Sequence, residues 1–240
     1  MKPLYLEKKL ALVLRPGLSL LDQPEAFWRE LTSVARVRIL RQDRAPAVRA
    51  FLLAESSLLV WRDRLMLSTC GSGDLKALVP WLKEQFGDDA VVASLYETPE
   101  WTTELSLRRE SEGEVSALAS WGGCRKSVLV GFARRDFPAE LRALLPRDAE
   151  IFQEHDFDPA GYSCNACEGE NYLTLHFSPE GEGSCLSLES RGFEAVQGAL
   201  LEVAAKRLSP KTIYRLTEEF PEGDELKEPR EAARRYKIAR

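Results

Sequence analysis

Side chains able to do acid–base or nucleophilic chemistry are few in this sequence. Of 240 residues only two are histidine, His155 and His176. His176 lies in the alternating run Leu173-Thr174-Leu175-His176-Phe177, which predicts a strand that puts it on the face of Thr174 and opposite Leu175. On that pattern alone it reads as a hydrogen-bonded or partly exposed strand histidine. Cys70 stands directly before Gly71-Ser72-Gly73. A thiol at a strand end beside an amide-rich turn is open to a substrate, and it is equally a small buried apolar residue. Glu55-Ser56-Ser57 is a polar interruption between two apolar runs and reads as a turn or bulge, as does Gly161-Tyr162-Ser163. Cys164 and Cys167 form a lone C-x-x-C. A structural zinc site needs four ligands, and no second pair stands at metal spacing. A redox pair needs a thioredoxin-like βαβ setting, which the pattern lacks.

The elements that must position these groups follow from periodicity. A helix is predicted over Pro24–Val34, with Asp22 as cap and Phe27, Leu31 and Val34 on one face. Strands follow at Val37–Leu40 and Ala50–Ala54, then a hairpin of Leu58–Trp61 and Leu65–Thr69 around Arg62-Asp63. Asp74 caps a helix whose Leu75, Leu78, Val79 and Leu82 share a face. Further strands are predicted at Ala90–Tyr96, Thr103–Arg108, Val115–Trp121 and Ser127–Phe132, and a short helix at Ala139–Leu145. Asp156–Asn171 reads as a loop, followed by strands Tyr172–Phe177 and Cys185–Glu189. A long helix Phe193–Leu208 presents Phe193, Val196, Leu200 and Val203, and Thr212–Leu216 is the final strand. From Glu218 onward the chain reads as a charged, solvated tail with some helix near Glu228–Arg235.

Strands followed by an amphipathic helix, twice over, predict an α+β fold with antiparallel sheets and helices outside. Ala50–Ala54 and Leu58–Trp61 are apolar at nearly every position, so both faces of that sheet are expected to be covered. Apolar residues at 44% exclude a disordered chain, and no apolar run reaches the roughly 18 residues of a membrane span. The N-terminus lacks a secretory core, so a cytoplasmic location is expected. A net charge of −5 argues against nucleic acid or anionic membrane as main partners. Five cysteines, an odd number, point to reduced thiols rather than a disulfide framework.

Four stretches in order resemble eukaryotic-type S-adenosylmethionine decarboxylase, a pyruvoyl-dependent family. They are Leu53-Ala54-Glu55-Ser56-Ser57-Leu58-Leu59-Val60; Leu67-Ser68-Thr69-Cys70-Gly71, followed by Leu75-Lys76-Ala77-Leu78-Val79-Pro80; Phe157-Asp158-Pro159-Ala160-Gly161-Tyr162-Ser163; and His176-Phe177-Ser178-Pro179-Glu180. The resemblance is close over Phe51–Leu82 and Phe157–Glu189 and looser elsewhere. It implies a four-layer α/β/β/α sandwich of two antiparallel sheets, internally duplicated, with halves near 1–110 and 111–217 and a tail at 218–240. Ser56, Cys70, Ser163 and His176 would then converge at one edge between the sheets.

The resemblance also implies roles. Ser56 would attack the carbonyl carbon of Glu55, turning the peptide link into an ester, and elimination would leave a pyruvoyl group at 56. The products would be chains 1–55 and 56–240, held together. His176 would remove the Ser56 Cα proton, Ser163 would hold the processing intermediate, and Cys70 would reprotonate the substrate carbon after carbon dioxide leaves. The substrate amine would form a Schiff base with the pyruvoyl ketone, which takes up the electrons, with no metal and no pyridoxal phosphate required. Phe157 would stack on the adenine, Glu180 would bind the ribose hydroxyls, and Leu53 and Glu55 would give main-chain contacts. The product, decarboxylated S-adenosylmethionine, supplies spermidine biosynthesis, and family members occur as homodimers of the two-chain unit or as monomers.

The sequence departs from the family's N-terminal Phe-Glu-Gly-x-Glu-Lys, offering Tyr5-Leu6-Glu7-Lys8-Lys9, with Tyr5 as the available aromatic. Glu189 fits one acidic residue of the putrescine-activator site, and Ser127–Ala133 lacks the matching aspartate. Two alternatives stand beside the main reading: an arginine or ornithine decarboxylase on the same fold, and a non-catalytic, prozyme-like relative.

Overall fold

The computed structural model describes residues 7–54, 56–70, 73–87, 91–98, 108–112, 124–132, 136–158, 160–179, 184–210, 212–218 and 236–239. The chain divides into two compact units, Met1–Ser120 and Trp121–Arg240.

The first unit contains β1 (Glu7–Leu14), α1 (Glu25–Val34), β2 (Ile39–Arg44), β3 (Arg49–Leu53), β4 (Ser56–Val60), β5 (Arg64–Cys70), α2 (Leu78–Phe86), β6 (Val91–Thr98) and β7 (Arg108–Glu112). Its seven strands form an antiparallel sheet in the order β2-β3-β4-β5-β1-β6-β7. Alternation sorts the strands' faces. Leu10, Leu12, Phe51, Leu53, Leu58, Val60, Leu65 and Leu67 join Trp28 and Leu31 of α1 and Leu78 and Leu82 of α2 in one core. The opposite face is buried too, with Ala50, Leu52 and Leu59 fully covered, as the unbroken apolar runs predict.

The second unit contains β8 (Cys124–Phe132), α3 (Ala139–Arg142), β9 (Ile151–Asp156), β10 (Tyr162–Glu168), β11 (Asn171–Ser178), β12 (Ser184–Arg191), α4 (Glu194–Leu208), β13 (Thr212–Glu218) and β14 (Tyr236–Ala239). Its sheet runs β9-β10-β11-β12-β8-β13-β14. Strand for strand this is the order of the first unit, with a helix after the first strand and another after the fifth in both. The duplication is therefore written into the topology. Leu141, Leu200, Ala204 and Leu208 from the helices meet Leu129, Leu173, Leu175, Leu186 and Leu188 from the sheet.

Several expectations are corrected. Asp22 does not cap α1: Pro24 is the N-cap with no side-chain bond, and Asp22 instead lies 3.5 Å from Arg62. Glu55-Ser56-Ser57 is not wholly a turn, because Leu53 pairs with Ser56 and leaves only Ala54 and Glu55 as the connection. Asp156–Asn171 is largely strand rather than loop. Its polar alternates are satisfied across the sheet, with Asn165 Nδ2 donating to Gln153 Oε1 at 3.0 Å while Tyr162, Cys164 and Ala166 enter the helix-side core. The buried face of α4 is rotated to Gln197, Leu200, Ala204 and Leu208. A glutamine is tolerated there because Ser190 Oγ donates to its Oε1 at 3.0 Å and its Nε2 donates to the Leu188 carbonyl at 3.4 Å. The expected strand Val115–Trp121, most of Thr103–Arg108 and the helix at 228–235 lie outside the described residues. Within the reach of the expected tail, β14 pairs with β13.

Candidate active site

Ser163 and His176 are brought together by register. They are direct partners across β10 and β11, and both point away from the helix-side core. Ser163 Oγ lies 2.9 Å from His176 Nδ1, and both residues are buried, at 3% and 8% exposure. Either the hydroxyl donates to an unprotonated Nδ1, or Nδ1–H donates to the hydroxyl oxygen. In both cases the bond fixes the ring's orientation, the first requirement of a positioned base.

The row continues in both directions. His155 of β9 is opposite Ser163, and Ser187 of β12 is opposite His176. A line of polar residues, His155–Ser163–His176–Ser187, thus crosses four strands on the helix-free face. Gln153, Asn165, Thr174 and Glu189, by the same register, share that face and are buried, with the Tyr172 hydroxyl donating to Glu189 Oε1 at 2.7 Å. In the sequence His155 stands out only as a histidine. The acid-rich run Ile-Phe-Gln-Glu-His-Asp does not look like a strand, and without β9 the alternation of Gln153 with His155 carries no direction.

Beside this row, Phe157 opens the loop between β9 and β10. Its N–H donates to the Gly161 carbonyl at 3.1 Å, and its ring meets that of His155 edge-on, with centroids 4.6 Å apart. Gly161 holds φ +140, a conformation that favours glycine, and a Cβ there would stand 3.3 Å from Phe157 Cβ and 3.4 Å from the Phe177 carbonyl oxygen.

In the first unit, Ser56 is the first residue of β4, the partner of Leu53 on one side and Thr69 on the other. Cys70 is the last residue of β5 and pairs with Glu7. Both therefore lie at the end of the sheet that carries the β3–β4 connection. Leu53 is fully buried in the helix-side core, so its side chain is committed to packing and its main chain alone is left for contacts. Glu55, Glu180, Tyr5, Gly71 and Ser72 lie outside the described residues.

The C-x-x-C is neither a metal nor a redox pair in this fold. Cys164 and Cys167 are three residues apart on one strand, so they face opposite sides and their Cα atoms are about 10 Å apart, beyond disulfide reach. Both are buried free thiols, and burial pushes the Cys167 thiol up to about 12 and that of Cys164 higher still. Among the described residues no group of three or more His, Cys, Asp or Glu could hold a metal ion, and no helix is long and apolar enough to cross a membrane.

A family profile described as adenosylmethionine decarboxylase matches residues 6–137 and 136–214. Among curated relatives, the S-adenosylmethionine decarboxylase proenzyme of Trypanosoma brucei brucei is 23% identical over 77% of this chain and 66% of its own length. That of Caenorhabditis elegans is 24% identical over 67% of this chain and 59% of its own, and that of Helianthus annuus 22% over 60% and 56%. The chain thus spans less than two thirds of the length of these relatives. Among solved structures, the Trypanosoma brucei AdoMetDC-delta26 monomer aligns at 20% identity and a TM-score of 0.32, covering 40% of this chain and 45% of that one. The adenosylmethionine decarboxylase from Aquifex aeolicus aligns at 16% and 0.32, covering 43% and 96%. With both halves matched by the profile, the chain belongs to the adenosylmethionine decarboxylase family.

Proposed function

We propose that this chain is a self-processing, pyruvoyl-dependent S-adenosylmethionine decarboxylase that supplies decarboxylated S-adenosylmethionine for spermidine synthesis. The observation that carries the reading is the buried Ser163 Oγ–His176 Nδ1 contact at 2.9 Å, in a chain whose residue 56 is a serine directly after a two-residue connection. The named relatives are decarboxylase proenzymes, which supports this substrate over arginine or ornithine. A full set of Ser56, Cys70, Ser163 and His176 speaks against a non-catalytic copy.

The residues present suit a self-made pyruvoyl group. Ser56 Oγ attacks the Glu55 carbonyl carbon, and the amide nitrogen leaves that carbon as an ester forms. His176 takes the Ser56 Cα proton, the Cα electron pair forms a double bond to Cβ, and the Glu55 carboxylate departs with the ester oxygen. The remaining enamine takes up water and loses ammonia to give the ketone. Ser163 keeps the imidazole aimed and donates a hydrogen bond to the oxygen that gains charge. The ketone, once formed, supplies the electron sink for decarboxylation. Cys70 then holds the proton returned to the substrate carbon, Phe157 stacks on the purine, and Glu180 accepts from the ribose hydroxyls, with main-chain groups of Leu53 and Glu55 at the site's edge. The reading requires His176 to reach the Cα of residue 56. Cys164, Cys167 and Cys185, none of them in a disulfide, suit a reducing, cytoplasmic setting.

The test joins intact mass with substrate assay. The purified protein is expected as chains of 55 and 185 residues, the longer beginning with a pyruvoyl group. Labelled carbon dioxide is expected from S-adenosylmethionine and not from arginine or ornithine. An active protein with an intact, unmodified Ser56 would overturn the proposal.

A further inference from the structure

The Phe157 loop is fastened from the back of the sheet. Arg142 of α3 makes a forked contact to Asp156, with Nη1 to Oδ2 at 3.1 Å and Nη2 to Oδ1 at 2.5 Å. The same guanidinium lies over the Tyr162 ring, 4.4 Å from its centroid. Asp156 and Tyr162 are paired residues that bracket the loop 157–161, one immediately before Phe157 and the other immediately before Ser163. The Tyr162 hydroxyl donates to Glu154 Oε2 at 2.7 Å, and that carboxylate also accepts from Arg147. One cation therefore holds both ends of a five-residue loop, while His155 braces the Phe157 ring edge-on from the other face.

An ion pair this open, with side chains 31% and 64% exposed, adds little to global stability. Its fork geometry constrains position instead. Arg142 lies on the helix-side face, with Tyr162 of the core, whereas Ser163, His155 and His176 point the other way.

We propose that Arg142, through Asp156 and Tyr162, is a positioning residue that sets the pose of Phe157 as a platform for the purine ring of the substrate. This rests on the functional reading above, which gives Phe157 its aromatic ligand. A platform held in advance binds more tightly because less ordering remains to be done on association.

The test measures binding of methylthioadenosine, a purine nucleoside without the substrate's amine or carboxylate, to the full purified chain by calorimetry. Cleavage and carbon dioxide release are followed alongside. Asp156→Asn is expected to weaken nucleoside binding about fivefold, with cleavage complete and kcat within about twofold. Arg142→Lys, which keeps the charge and loses the fork, is expected to fall between Asp156→Asn and the parent. In a Phe157→Ala background, Asp156→Asn is expected to cost nothing further, since both act through one ring. Unchanged affinity in Asp156→Asn, or an equal loss in the Phe157→Ala background, would overturn the clamp. Parent protein that stays uncleaved yet binds the nucleoside, with the loss seen in Asp156→Asn, would sink the decarboxylase reading and leave the clamp standing.

Discussion

At the scale of single residues, the proposed chemistry divides between the Ser56 hydroxyl, which would break its own backbone, and the His176 imidazole, which would carry the proton. Ser56→Ala is expected to give one uncleaved species of 240 residues by intact mass. His176→Ala retains the proposed nucleophile and loses the proposed base, so it is expected to accumulate the ester, which added hydroxylamine would cut between residues 55 and 56. Insensitivity to hydroxylamine would remove His176 from the elimination step. The buried cysteines make an independent forecast. Thiolate is the reactive form, and Cys164 and Cys167 are held far from ionisation by burial. Iodoacetamide at pH 8 is therefore expected to leave Cys164 and Cys167 unmodified in the native protein and to label both after denaturation, as read by peptide mass.

At the scale of elements, the hairpins do the aiming. The register of β10 on β11 makes Ser163 and His176 partners, and a one-residue slip would turn one of them into the leucine-rich core. Gly161→Ala is expected to destabilise the second unit by about 1–3 kcal/mol, since φ +140 is closed to a Cβ that also meets Phe157 and the Phe177 carbonyl. Thermal denaturation measures it, and nucleoside affinity should fall with it. Asp156 gives the pH dependence of the same loop. The hydrogen bonds from Arg142 hold its carboxyl below the ordinary carboxylate range. A depressed carboxyl favours the folded loop above its unfolded pKa of about 3.9, and the contribution is lost as pH falls through the lower folded value. The Asp156 carboxyl resonance is expected to titrate below about 3.9 in the parent and to move up in Arg142→Met. Strand β11, helix α1 and the β4–β5 hairpin are legible from periodicity, because each carries its own alternation or apolar stripe, whereas α4 is legible as a helix and its buried face is not. Strands β9 and β10 are not: Asp, Asn and Gly favour turns locally, and only cross-strand pairing, with β10 held between β9 and β11, overrides that preference.

At the scale of the molecule, the sheet order has a consequence for a cleaved chain. Residues 1–55 supply β1, β2 and β3, and β1 lies between β5 and β6, paired with β5 along Glu7–Val13 and with β6 along Glu7–Leu14. Scission at 55/56 would therefore cut a connection but remove no strand from the sheet. The two products are expected to co-elute in gel filtration and to separate only in denaturant. Leu12→Ala, at a fully buried position of that inserted strand, is expected to cost about 2–5 kcal/mol, read from chemical denaturation. The two units share a topology and not a chemistry. Ser56 opens β4 next to the β3–β4 connection, whereas the Ser163–His176 pair lies at the end of β10 and β11 remote from their own connection. Sequence by itself determined the residue types at the candidate site, the order of the motifs, the α+β class and the duplicated strand–helix pattern, since these depend on composition and on periods within a dozen residues. Only the tertiary structure decided that Ser163 and His176 touch, that His155 joins their row, that Arg142 clamps the Phe157 loop and that β1 inserts between β5 and β6. Each of these is a pairing between segments far apart in the chain, and no local period records which strand lies beside which.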